Sequence, residues 1–179
     1  MKDEMFLLKI EDATSGNFKD IPSPCRYCLY WQTSGAYGEE MLKSEMEQQK
    51  REWFDKVNSE FGSCIKIAYL ANTPIGFIQY APARFFPRVK DYMSGPPSEE
   101  TIFLACLYIT SKEMRRKGLG TIMLRNLLAQ LKKSGLKSVE TFARKGSPEN
   151  PSGPFELYLK NNFKIKSEKD DFPLIRLEL

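Results

Sequence analysis

One junction constrains this chain more than any other. An apolar run, Ile102 to Thr110, leads through Arg115-Arg116-Lys117-Gly118-Leu119-Gly120 into an amphipathic segment, Leu119 to Leu131. A strand therefore has to pass through a short, basic, glycine-containing turn directly into a helix. The first amides of a helix have no intrahelical acceptor and lie at the positive end of its dipole. Gly118 and Gly120 let a phosphate approach the backbone with no Cβ in the way, and the three cations before the helix add to the field. Such a turn is a site for a phosphorylated small molecule.

The 179 residues suffice for one domain with one core, and 41% hydrophobic with 12% aromatic residues is the composition of a packed globular chain. The net charge of +4 is modest, and acidic residues interrupt every basic cluster, which argues against a nucleic-acid partner. No apolar run approaches the roughly 18 residues that a membrane helix needs. The first ten residues read as a strand rather than a signal peptide. Cysteines at 25, 28, 64 and 106 are too few and scattered for a disulfide-dense fold, so a cytoplasmic location is expected. The chain has no histidine. Proton chemistry then falls to Glu, Asp, Tyr, Cys, Lys or ordered water, and His-dependent triads are excluded.

Periodicity predicts a strand over Phe6–Ile10, an irregular stretch from Ala13 to Gly38, and a helix from about Glu39 to Phe61 with Leu42, Met46, Trp53, Val57 and Phe61 as its buried stripe. Ile65–Leu70 and Ile75–Tyr80 read as strands joined by a hairpin-like connection, Ala71 to Pro74. A long Pro-containing loop, Ala81 to Glu100, separates them from the strand Ile102–Thr110. The helix after the basic turn presents Leu119, Ile122, Met123, Leu127 and Leu131 on one face and ends at Gly135. Leu136–Phe142 is a strand. A short helix with Pro154 at its first position runs to about Asn161–Asn162, and a hairpin of Phe163–Ile165 with Leu174–Leu177 closes the chain.

In this strand-turn-helix context, Arg115-x-x-Gly118-x-Gly120 resembles the Gln/Arg-x-x-Gly-x-Gly/Ala signature of the GNAT superfamily of acyl-CoA-dependent N-acetyltransferases. Leu157, Tyr158 and Phe163 match that family's Leu-Tyr-x-x-x-Gly-Phe, with Asn162 at the glycine position, where Asn tolerates the left-handed conformation. The similarity spans Ile65 to Leu179; residues 12 to 40 and the Pro-containing loop carry no matching pattern. The resemblance implies one domain over residues 1–179 with an α/β (α+β) GNAT fold: a mixed, mostly antiparallel sheet of about seven strands flanked by about four helices.

The same resemblance implies acetyl-CoA as cosubstrate, with no metal. Backbone amides from Arg116 to Thr121, through Lys117, Gly118, Leu119 and Gly120, would hold its pyrophosphate. Arg115, Arg116 and Lys117 would supply charge nearby, and the main chains of Leu107, Tyr108 and Ile109 the pantetheine arm. Tyr158 matches the family's acid. The family often has Asn seven residues before that tyrosine; here position 151 is proline, and Asn150 is the nearest candidate. Transfer in this family is direct, from the thioester to a neutral amine. The chain would then be an acetyltransferase acting on a primary amine of a small molecule or peptide, with a homodimer left open. A CoA-binding sensor or assembly module without catalysis is the alternative.

Glu99 and Glu100 precede the fourth strand, and Glu100 is the candidate base, with a water chain or a plain turn role beside it. Tyr27, Tyr30, Trp31, Phe85 and Phe86, in the segments that escape the family pattern, are candidates for the acceptor pocket, or else packing residues. Cys25-x-x-Cys28 admits a redox, zinc, substrate-pocket or packing role; a zinc site would need two more ligands, with only Cys64, Cys106 and carboxylates available.

Overall fold

The computed structural model describes residues 7–35, 41–110, 112–146 and 152–179. Its strands are β1 Leu8–Asp12, β2 Ile65–Leu70, β3 Thr73–Pro82, β4 Ile102–Ile109, β5 Ser138–Phe142, β6 Lys164–Ser167 and β7 Leu174–Glu178, and its α-helices are α1 Lys43–Glu60, α2 Leu119–Lys133 and α3 Phe155–Leu159. They form one seven-stranded sheet in the order β1-β2-β3-β4-β5-β7-β6. Every pair is antiparallel except β4 with β5. This is the mixed GNAT-like sheet the sequence implies, with three α-helices among the described residues rather than about four.

The parallel pair positions the site. β4 pairs with β5 only at Ile102↔Val139 and Phe103↔Glu140, whereas on its other side it pairs with β3 along its whole length. Beyond Phe103 the two strands part. Thr141 Oγ1 donates to Leu104 O at 2.7 Å and satisfies the first carbonyl past the division. On the β3 side Gln79 faces Cys106 and Tyr80 faces Leu104, so Ala105 is the extra residue of a bulge. A bulge bends a strand and re-aims its side chains. Ala105 and Cys106 accordingly both meet the core on the α1 face, while Leu104 and Leu107 meet the core on the α2 face.

Each face of the sheet has its own core. α2 lays Leu119, Met123, Leu124, Leu127 and Leu131 on Ile78, Tyr80 and Leu104, together with Tyr158 and Phe163 from the α3 region. Gly76 allows this close approach: a Cβ there would lie 2.8 Å from Met123 Sδ. On the other face, Phe54 and Val57 of α1 pack with Phe18, Trp31, Phe77, Phe86 and Phe103.

Several expectations need correction. β1 starts at Leu8 rather than Phe6, which lies outside the described residues, as does the expected helix start at Glu39. α1 begins only at Lys43; Leu42, just before it, is 65% exposed and donates its N–H to Glu45. The buried stripe of α1 is Lys50, Phe54 and Val57, so only Val57 of the expected set is fully buried. The helix is rotated because Phe54 enters the sheet face, which moves Trp53 to the edge, where its Nε1 donates to Phe85 O at 2.9 Å. α3 ends at Leu159, with Pro154 at the N-cap rather than inside the helix. Asn162 does adopt the left-handed conformation, φ +67°.

Candidate active site

A cleft of about 450 Å3 opens where the outer half of β4, the basic turn and the start of α3 meet. Leu107, Tyr108 and Ile109 form one wall, Arg115, Arg116, Gly118, Gly120 and Thr121 the second, and Gly153, Pro154 and Leu157 the third. The first intrahelical bond of α2 runs from Ile122 N–H to Gly118 O, and Gly118, in the N-cap position, offers no side-chain cap. The N–H groups of Leu119, Gly120 and Thr121 thus lack intrahelical acceptors, the condition for anion binding. Arg116 and Gly118 adopt left-handed φ values of +61° and +83°. For Arg116 that costs about 1–2 kcal/mol, strain concentrated at the turn that faces the cleft.

The expected cofactor residues divide by what they touch. Arg115 holds the turn in place: its Nε donates to Ile109 O at 3.0 Å, and its guanidinium lies 5.2 Å from the Tyr108 ring. Leu119 lends its amide to the turn but sends its side chain into the α2 core, and Lys117 is exposed and does not line the cleft. Asn150 lies outside the described residues. Lys112, Met114 and Gly153 line the cleft and were not singled out from the sequence, and Pro154 and Leu157, read there only as parts of the last helix, line it too. The Gly153-Pro154 pair beside the Leu-Tyr helix was the available signal, since Gly153 has φ +92° and its Cβ would sit 3.3 Å from the Tyr158 hydroxyl.

Tyr158 is fully buried behind that wall, with its ring edge-on to Phe163. Its hydroxyl donates to Ser152 O and neighbours Thr141, the residue that bridges the point where β4 and β5 part. Burial raises its pKa, so the phenol stays protonated. Glu100 is exposed in the turn that leads into β4 and does not line the cleft. The carboxylate buried nearby is Glu140 of β5. Burial alone would raise its pKa, but bonds from Lys166, Ser98 N–H and Arg176 outweigh that and hold it below the usual range. With every oxygen engaged, Glu140 is a structural anchor.

On the α1 face, the segment holding Tyr27 to Trp31 meets the loop after β3. Arg88 Nη2 donates to Gly35 O at 2.7 Å, its Nε bonds Tyr30 O, and the Tyr30 and Tyr92 hydroxyls lie 2.9 Å apart. Trp31 stacks on Tyr92 and meets Phe103 edge-on. Trp31, Phe85 and Phe86 are buried, whereas Tyr27 and Tyr30 retain exposed surface. All four cysteines are free thiols, and no group of three or more metal-ligating side chains occurs among the described residues. Burial pushes the Cys25 and Cys64 thiols up to about 12.

A family model described as the acetyltransferase (GNAT) family matches residues 26–151. Among curated proteins none matches the sequence. The fold is similar to that of the PaiA N-acetyltransferase of Thermoplasma acidophilum in complex with coenzyme A: 20% identity, TM-score 0.61, 96% of this chain and 99% of that one. YncA of Salmonella typhimurium, a putative acetyltransferase with its cofactor acetyl-CoA, superposes with TM-score 0.64 at 12% identity over 97% and 94% of the two chains. An N-acetyltransferase from Staphylococcus aureus Mu50 gives 0.60 at 19% identity over 96% and 97%. The divided β4–β5 pair, the basic turn and this family match agree, and the chain belongs to the GNAT acetyltransferase family, whose cosubstrate is acetyl-CoA.

Proposed function

We propose that the chain transfers an acetyl group from acetyl-CoA to a primary amine of a small molecule or peptide. The observation that carries this reading is the continuity of the cleft: uncapped amides of α2 at one end, and at the other the stretch of β4 that has no ladder partner on its β5 side. Leu119, Gly120 and Thr121 would bind the pyrophosphate through N–H groups, with Arg116, Lys117 and Lys112 supplying charge and Arg115 fixing the turn. The backbone of Leu107 to Ile109 would hold the pantetheine arm. Acetyl-CoA supplies an acetyl group activated as a thioester.

Tyr158 is the proposed acid. Its burial beside Thr141 keeps a proton at the apex of the strand division, which is what a departing thiolate needs. Glu100 is the proposed base, working through ordered water because its side chain stands outside the cleft. Tyr27 and Tyr30 would face the acceptor, backed by Trp31, Phe85 and Phe86. Four free thiols fit a reducing compartment such as the cytoplasm, and no helix among the described residues is long and apolar enough to cross a membrane.

One observation favours the second reading, a CoA-binding module without catalysis: the Tyr158 proton is already donated to Ser152 O. A screen of primary amines that follows free CoA release decides between them. Release dependent on one class of amine supports the enzyme. Acetyl-CoA binding without release for any amine supports the module.

A further inference from the structure

The sequence places lysine at position 50, on the stripe that α1 buries, and glutamine at position 79, inside an apolar strand. Lys50 is 2% exposed and Gln79 0%. Lys50 Nζ donates to Cys28 O at 3.1 Å and to Gln79 Oε1, and lies 5.3 Å from the Trp53 ring and 5.9 Å from that of Phe77. The Gln79 amide nitrogen, also buried, has no acceptor among the described residues.

A buried cation is ordinarily paired. The other buried charges among the described residues obey that rule: Lys66, 3% exposed, has Asp12 at 2.8 Å, Arg88 has Asp91, and Glu140 has Lys166 and Arg176. Lys50 breaks it. Its acceptors are both neutral, and the titratable groups around it are thiols, Cys106, Cys28, Cys25 and Cys64. Of these, Cys25, Cys64 and Cys106 are held protonated by burial and cannot act as its counter-ion. Burial accordingly lowers the Lys50 pKa.

The place of this pair in the fold shows what would complete it. Gln79 stands opposite Cys106, the residue after the bulged Ala105 on the central strand β4. Cys106 is only partly buried although β4 lies in the middle of the sheet, as are Cys28 and Trp53 beside Lys50. Partly exposed residues therefore border the buried pair on the face opposite the α2 core. An uncompensated amine and an unpartnered amide donor, joined through Gln79 Oε1, match the two oxygens of one carboxylate.

We propose that Lys50 and Gln79 form an acceptor subsite on the α1 face of β4 that takes a carboxylate, so that the preferred amine is amino-acid-like. This deepens the acetyltransferase reading and rests on it for the reaction, though not for the binding.

The experiment has two readouts. In the first, short amino acids are each paired with the alkylamine in which methyl replaces the carboxylate, and kcat/KM is measured for both. The carboxylated member should be favoured about 10- to 100-fold, the range for hydrogen bonds to a charged group. In Lys50→Met and Gln79→Leu that ratio should fall toward one, while Lys66→Met, which removes a lysine that already has its own carboxylate, should keep it. In the second, N-acetylated amino acids are added without acetyl-CoA, and the thermal shift is recorded for the wild type and Gln79→Leu, which loses only an amide. A shift in the wild type that the variant lacks supports the subsite even if no amine is acetylated, a result that would sink the transferase reading alone. A ratio near one in the wild type, or equal shifts in both proteins, overturns the subsite.

Discussion

Adding one methyl group at Gly118 and at Gly120 should give opposite results, although the two residues sit two apart in the same turn. At Gly118, φ is +83° and a Cβ would meet nothing within 4 Å. The penalty of Gly118→Ala is therefore purely conformational, about 1–2 kcal/mol for an L-residue held in the left-handed region. For a domain of this size, about 2–4 °C of melting temperature is lost per kcal/mol. If the turn instead relaxes to relieve the strain, the amides of Leu119 to Thr121 change direction, and acetyl-CoA affinity falls about tenfold for each 1.4 kcal/mol of lost binding. At Gly120 no positive φ occurs, and the Cβ would lie 3.4 Å from Leu107 Cδ2 and 3.7 Å from Leu157 Cδ2, ordinary contact distances. Gly120→Ala should keep or raise the melting temperature, since alanine is favoured in a helix by up to about 1 kcal/mol. Calorimetric melting together with acetyl-CoA titration of both variants reads these effects. A Gly118→Ala protein with unchanged stability and unchanged affinity would refute the reasoning from backbone conformation.

Three further outcomes are expected. Tyr158→Phe should lower kcat about 10- to 1000-fold with little change in acetyl-CoA affinity, measured where chemistry limits the rate; an unchanged kcat would remove Tyr158 from proton transfer. Trp31→Ala should cost about 3–5 kcal/mol in denaturant unfolding, the range for emptying a large aromatic site, because Trp31 packs on Tyr92 and Phe103; a small loss with a raised acceptor KM would instead make it a pocket residue. Glu140 has a lowered pKa in the fold, so its stabilisation is present above the unfolded value of about 4.3 and is lost as pH falls below it. Glu140→Gln should cost about 1–3 kcal/mol at neutral pH, less than a fully buried pair because Lys166 and Arg176 can turn to water, and its melting temperature should fall less steeply than wild type between pH 5 and 3.

The cofactor side was legible because its determinants are local. A strand, glycines at 118 and 120 and an amphipathic helix follow one another in the chain, and the amides left without acceptors belong to that one turn. There too, sequence placed Arg115 only as charge near the ligand; that its Nε also holds the turn to Ile109 is visible only when the end of β4 is in place. The α1 face was read less well because its residues are brought together from far apart. Periodicity cannot tell which of two adjacent aromatics, Trp53 or Phe54, enters the sheet, so the expected stripe is rotated and omits Lys50. Trp31 and Phe86, read as pocket or packing aromatics, are buried because Phe103 and its neighbours rise to meet them. A lysine and a glutamine at apolar positions were the signal that sequence reasoning passed over.

The central claim is that the amides at the start of α2 hold the cosubstrate, and calorimetric titration of acetyl-CoA into wild type and Gly120→Glu tests it most directly. The glutamate side chain would extend from a position between Leu107 and Leu157 into the cleft, placing bulk and negative charge where phosphate should lie. Saturable binding is expected for the wild type, and none for a Gly120→Glu protein that remains folded. Equal affinity for both proteins would contradict it.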